Sequence, residues 1–150
     1  MTAFTSHMPR ALAEARAAAR RGEVPVGAVL TDPDGRIVAA SGNRTRAEHD
    51  PTAHAEIAVI RAACKAARSD RLPGHRLWVT LEPCPMCAAA ISAARIATLY
   101  YGADDPRMGG VRHGARVFDH PQCHHRPEIH DGIAADESRT LLRDFFAARR

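Results

Sequence analysis

A three-layer α/β domain, with helices on both faces of a mixed central sheet of about five strands, is the fold class this sequence predicts. Three observations carry that prediction. The apolar patterns run as a helix, a hairpin, and then strand and helix in alternation. The length of 150 residues suits one domain spanning 1–150, and no repeat or linker interrupts it. The hydrophobic share of 45% and charged share of 25% are those of an ordinary globular chain, which argues against a disordered tail or a membrane protein.

The elements follow in order. Met8, Leu12, Ala15 and Ala19 recur at helical spacing and predict an amphipathic helix over residues 9–21. Residues 24–30 read as a buried strand. Asp32-Pro33-Asp34-Gly35 places proline and glycine where a hairpin needs them, and Ile37-Val38-Ala39 returns as the second strand. After a polar loop over residues 41–52, the alanine-rich stretch 54–67 has high helix propensity. Leu77-Trp78-Val79-Thr80-Leu81 is a third strand, and Pro83 just beyond it suits the start of a helix over residues 84–94. Residues 98–102 form a fourth strand. The Gly-, Pro- and His-rich stretch 103–127 is expected to be loop with one short helix near 110–117. Ile129 centres a last short strand, and residues 136–149 close the chain as a helix with apolar Leu141, Leu142, Phe145 and Phe146.

Charge narrows the partners. Of the 21 basic residues only Lys65 is a lysine, so 20 are arginines, and with 17 acids the net charge is +4. Arginine's planar fork suits phosphate, which favours a nucleic-acid partner. The 30 alanines beside those arginines are also what a GC-rich genome produces through codon usage. No apolar run approaches the ~18 residues of a membrane helix. Residues 1–7 lack a basic stretch followed by an apolar block, so the expected compartment is the cytoplasm.

In a reducing compartment four cysteines point to metal ligands or thiols rather than disulfides. Cys84 and Cys87 are three apart at a predicted helix start, on one face and within reach of one ion. His54-Ala55-Glu56 sits at another predicted helix start. Two thiolates and one imidazole balance Zn²⁺ and fill three of its four tetrahedral positions, leaving one for water, as a catalytic zinc requires. Glu56, not needed as a ligand, could accept the proton of that water and pass it to a leaving nitrogen. Two positions along a regular helix is roughly 200°, so His54 and Glu56 meet only at an irregular first turn or if the glutamate arm reaches across. Two alternatives stand beside this reading: a thioredoxin-like dithiol, and a closed structural zinc site completed from Cys123, His124 or His125. Cys64, inside an alanine-rich helix, reads as a small core residue.

His54-Ala55-Glu56 with Pro83-Cys84-Pro85-Met86-Cys87 resembles the signature of the zinc-dependent nucleobase deaminases. The resemblance extends through Glu23-Val24-Pro25-Val26-Gly27-Ala28-Val29, Gly42-Asn43-Arg44, Asp50-Pro51-Thr52-Ala53, Val79-Thr80-Leu81-Glu82, Tyr101-Gly102-Ala103 and Gly132-Ile133-Ala134-Ala135-Asp136-Glu137. Nearly the whole chain is similar to the tRNA-specific adenosine deaminase family. That resemblance implies a cytidine deaminase-like fold and hydrolysis of adenosine to inosine at the wobble position of a tRNA anticodon, in bacteria typically an arginine tRNA, with ammonia released. It implies one zinc per subunit held by His54, Cys84 and Cys87, with Glu56 as the proton shuttle. Asn43 matches a purine-contacting asparagine, Val26 and Leu81 match apolar walls of the adenine pocket, and Asp105 matches an acidic position near the sugar of the neighbouring nucleotide. His125 is a candidate RNA contact, and Arg149 and Arg150 candidate phosphate contacts. The implied partners are the anticodon stem-loop and a second copy of the chain, with each active site close to the subunit interface.

The chain departs from the family at Asp105-Pro106-Arg107-Met108-Gly109-Gly110-Val111-Arg112, where many members carry a lysine and then small residues. It departs again at Cys123-His124-His125-Arg126, where an asparagine-histidine pair is common. Two competing functions remain at this level: deamination of a free nucleobase or nucleoside such as guanine or cytosine, and a non-catalytic zinc-stabilised RNA-binding module. Clustered Arg139, Arg143, Arg149 and Arg150 favour RNA over a free base. Glu56 disfavours the module, which needs no acid beside its zinc.

Overall fold

Turn chemistry starts the sheet. In the computed structural model, which describes residues 4–149, Asp32 Oδ1 accepts from the amides of Asp34 (2.9 Å) and Arg36 (3.0 Å), and Gly35 takes φ +85°. This closes an antiparallel hairpin of β1 (Gly27–Thr31) and β2 (Ile37–Gly42). β1 also pairs antiparallel with β3 (Arg76–Leu81). β3 then pairs parallel with β4 (Thr98–Ala103), and β4 with β5 (Glu128–His130). The resulting five-stranded order is β2-β1-β3-β4-β5, mixed as expected.

Alternation along the strands divides the core between two faces. Ala28, Leu30, Leu77, Val79, Leu99 and Tyr101 pack with α2 (Ala55–Ala67) and α3 (Pro85–Ala93). Val29, Trp78 and Tyr100 face the other way, against Met8, Ala11 and Leu12 of α1 (Met8–Arg20). There the Trp78 and Tyr100 rings stack with centroids 3.8 Å apart. α4 (Ala135–Ala147) lies beside α1, where Arg16 meets Glu137 at 3.3 Å. No helix among the described residues is long and apolar enough to cross a membrane.

Three expectations need correction. The buried row of α1 is Met8, Ala11, Leu12, Ala15 and Ala18, while Ala19 is only half-buried. β1 begins at Gly27 rather than residue 24, because Pro25 has no N–H for a ladder and the Val26 amide bonds locally to the Val24 carbonyl (2.8 Å). The short helix expected near residues 110–117 does not form. The amides of Val111, Arg112 and His113 all point at the Glu82 carboxylate instead of turning helical, and only a 3₁₀ turn at Val117–Asp119 follows.

Strand directions bring the interesting residues to one end of the sheet. β1 starts and β2 ends there, which places Val26 beside Asn43, whose amide donates to the Val26 carbonyl (3.0 Å). β3 ends there too, delivering Leu81 and then the turn into α3.

Candidate active site

His54 and Cys84 are both N-caps. His54 has extended φ −67°, ψ 158° directly before α2, and Cys84 has φ −70°, ψ 170° directly before α3. Pro85 follows Cys84 as the first helical residue, where its fixed φ fits and its missing N–H costs nothing. Because His54 stands outside the helix, the 200° separation expected of a regular helix does not apply. Its imidazole and the Glu56 carboxylate, in the first turn of α2, share one site.

Three donors converge. His54 Nδ1 lies 3.6 Å from Cys84 Sγ and 3.5 Å from Cys87 Sγ. Zn–S near 2.3 Å and Zn–N near 2.0–2.1 Å, at a tetrahedral angle, would separate sulfur from nitrogen by about 3.6 Å. The donor set and its spacing therefore fit zinc. Among the described residues only these three converge here, since Cys123 is occupied elsewhere. Its thiol donates to the His125 carbonyl (3.1 Å) and lies 3.4 Å from Ser92 Oγ. That placement favours neither a closed four-ligand site built from this loop nor a disulfide, all four cysteines being free.

The electrostatics suit a cation. The Cys84 thiol is pulled down to about 4 by the Cys87 S–H, against the upward push of burial and with further help from His54. Cys87 is pushed up by the facing Cys84 sulfur and by burial. His54 is raised by its bond to Cys84, a gain that burial reduces and Glu56 assists. Glu56 is 4% exposed, and burial pushes its carboxyl above the usual carboxylate range, with its own backbone N–H and His54 pulling the other way. Burial thus favours the protonated form of Glu56 more than it would for an exposed carboxyl.

Around these donors, Asn43 is buried and its Oδ1 accepts from the Ala55 amide (3.0 Å), the first residue of α2. That bond engages the carbonyl end of the Asn43 amide at the start of α2. Val26 is buried and Leu81 half-buried at the same sheet end. Leu81 also lines a cavity of about 390 Å³ with Asp105, Arg107, Met108, Leu142 and Phe146. The Asp105 carboxylate accepts from the amides of Arg107 (3.2 Å) and Met108 (3.0 Å), so part of its capacity orders its own loop.

Of the other sequence candidates, His125 lies apart from these donors. His125 Nε2 is 2.6 Å from the Ile96 carbonyl, just before β4 and thus at the opposite end of the sheet. The Arg149 guanidinium sits 3.4 Å above the Phe145 ring and donates to the Phe145 carbonyl (3.1 Å). Arg150 lies outside the described residues. Cys64 is half-buried against the core.

Two buried carboxylates escaped the sequence reading. Glu23 accepts from the amides of Arg46 (3.1 Å) and Ala47 (3.0 Å) and holds the loop that runs from Asn43 toward His54. Burial pushes its carboxyl up, but those amides, the Thr45 hydroxyl and Arg21 outweigh it and hold it below the usual 4.5. Glu82 plays the matching part on the other side. Acids inside otherwise apolar stretches, as in Leu81-Glu82-Pro83, were the available signal.

The chain matches the profile of the family described as "Cytidine and deoxycytidylate deaminase zinc-binding region" over residues 1–103. It is 59% identical over 150 residues to a protein of Agrobacterium fabrum named "tRNA-specific adenosine deaminase", covering 100% of this chain and 98% of that one. A protein of the same name from Bacillus subtilis is 39% identical over 150 residues, covering 100% and 92%. Among solved structures, one from a study of A-to-I editing by tRNA:A34 deaminases superposes with a TM-score of 0.88 at 61% identity, over 90% of this chain and 97% of that one. A guanine deaminase from Nitrosomonas europaea superposes with a TM-score of 0.81 at 20% identity, over 97% and 87%, a likeness of fold alone.

Proposed function

Because this chain belongs to the tRNA-specific adenosine deaminases of the cytidine and deoxycytidylate deaminase family, we propose that it converts adenosine to inosine at the wobble position of a tRNA anticodon. The observation that carries this reading is the triangle of His54, Cys84 and Cys87 with a buried Glu56 at its edge. The two N-caps and Cys87 would hold zinc. When bound, zinc supplies a Lewis acid that makes hydroxide available at neutral pH.

The chain's own residues do the rest. Glu56 takes the proton of the attacking water and delivers it to the amino nitrogen at C6 of the adenine. Water adds its oxygen to C6, the C6–N bond breaks, and inosine and ammonia are the products. Asn43 holds the purine edge through its NH₂, and Val26 and Leu81 enclose the flipped-out base. Asp105 lies by the sugar of the neighbouring nucleotide.

The proposed substrate is the anticodon stem-loop of a bacterial arginine tRNA. His125, Arg149 and Arg150 are proposed RNA contacts, and the distance of His125 from its own site suits a role at the site of a second protomer in a homodimer. The chain acts as one domain, 1–150, in the cytoplasm. An inosine assay on an adenosine-34 stem-loop, run beside ammonia release from free guanine and cytosine, tests the reading. Inosine only in the stem-loop is the expected result, and turnover of guanine or cytosine without it would replace the tRNA substrate by a free base.

Deleting Arg149 and Arg150 is expected to weaken stem-loop binding most at low salt and to flatten the slope of log affinity against log salt by roughly 0.7–0.9 per lost phosphate contact. For Arg149 the contact must compete with the Phe145 ring and carbonyl that hold it. An unchanged slope in a salt titration would withdraw both arginines as phosphate contacts.

A further inference from the structure

Glu82 stands one residue beyond β3 and two before Cys84, and it is 2% exposed. Its carboxylate collects both ends of the loop over residues 105–113. Oε1 accepts from the Asp105 amide (3.0 Å) and from the His113 ring at Nδ1 (2.7 Å). Oε2 accepts from the amides of Val111 (3.1 Å), Arg112 (3.0 Å) and His113 (3.0 Å). Such convergence is what a buried ionised carboxylate requires, and it makes the loop's shape conditional on that one side chain.

The middle of the loop is pressed onto the same turn. A Cβ on Gly109 would lie 2.5 Å from Glu82 Oε2, and one on Gly110 would lie 2.6 Å from the Pro85 nitrogen and 2.9 Å from the Cys84 carbonyl carbon. Gly110 also donates to the Pro83 carbonyl (2.8 Å). Only glycine permits this approach, so the pair Gly109-Gly110 in this chain's divergent loop follows from where the loop must lie. The outer side of the loop carries Asp105, Arg107 and Met108 into the cavity beside Leu81.

We propose that Glu82 is a positioning residue for the RNA substrate: it clamps the loop 105–113 to the turn bearing Cys84, setting the surface that meets the flanking nucleotide at a constant distance from the reacting base. This rests on the tRNA deaminase reading above. Glu82 acts through the loop and touches no reacting atom, so its loss should appear in substrate binding rather than in the chemical step.

The test is Glu82→Gln in the full-length zinc-loaded protein. The amide NH₂ replaces one acceptor and faces donors it cannot accept from, leaving buried N–H groups unpaired. KM for the adenosine-34 stem-loop should rise about tenfold or more while kcat stays within about threefold. Zinc should remain at one per chain, and the amides of Asp105, Val111, Arg112 and His113 should exchange hydrogen faster. Unchanged KM with a fall in kcat or zinc would overturn the proposal in favour of support for the metal turn, and so would unchanged amide exchange. Wild-type protein inert on the stem-loop would remove the deaminase reading and the RNA role with it, a result distinct from a variant with wild-type KM. Should Glu82→Gln not fold, His113→Ala removes one donor from a half-buried position and should move KM and exchange the same way by about threefold. No change in either quantity would overturn the clamp.

Discussion

Glu56→Ala is expected to lower turnover of the anticodon stem-loop by about 10²–10⁴-fold, the usual worth of a positioned general acid–base group. It should leave zinc content and fold in place. Glu56 is no member of the His54, Cys84 and Cys87 triangle, so the metal donors survive the substitution. The loss should fall toward the upper end of that range if the same carboxyl serves both the attacking water and the departing nitrogen. Burial pushes this carboxyl above the usual carboxylate range. Glu56→Gln keeps the shape and should be as inactive. Single-turnover rates, with zinc measured on the same sample, check this. Either variant retaining more than about a tenth of wild-type activity would end the assignment of Glu56 as sole proton carrier.

Cys87→Ala is expected to abolish zinc binding and, with it, activity. Removing groups that merely orient a ligand already costs 10–100-fold in metal affinity, so removing a ligand should cost more than ~10²-fold. Cys87 is fully buried at the third position of α3, where alanine suits the helix, so circular dichroism should show the fold retained. Cys123→Ala is the matched control. Its sulfur is engaged with Ser92 and the His125 carbonyl, and it should keep one zinc per chain and full turnover. Zinc lost from Cys123→Ala but kept by Cys87→Ala would point to a different ligand set altogether.

The elements were legible in the sequence because each is set by local features: short apolar runs bounded by turn residues for the strands, a 3.6-residue row for α1 and α4, and a proline just beyond β3 for α3, although it is Pro85 rather than Pro83 that opens that helix. The metal donors were legible for a related reason. Cysteine pairs and His-x-Glu are too chemically particular to be explained by packing. Of the two ways His54 and Glu56 could meet, the structure takes the irregular first turn, with His54 as the cap outside α2.

The stretch 103–127 was read least well, and the failed helix near residues 110–117 shows why. Helix propensity counts local hydrogen bonds, whereas the amides of Val111, Arg112 and His113 are claimed by a carboxylate some thirty residues away. What the sequence alone determined, therefore, is the set of elements and the donor residues, both products of neighbouring positions. The tertiary structure alone decided that Val26, Asn43, His54, Leu81 and Cys84 meet at one end of the sheet, and that Glu23 and Glu82 hold the loops around them. A buried charge must find its donors wherever the fold brings them, and no local pattern specifies that place.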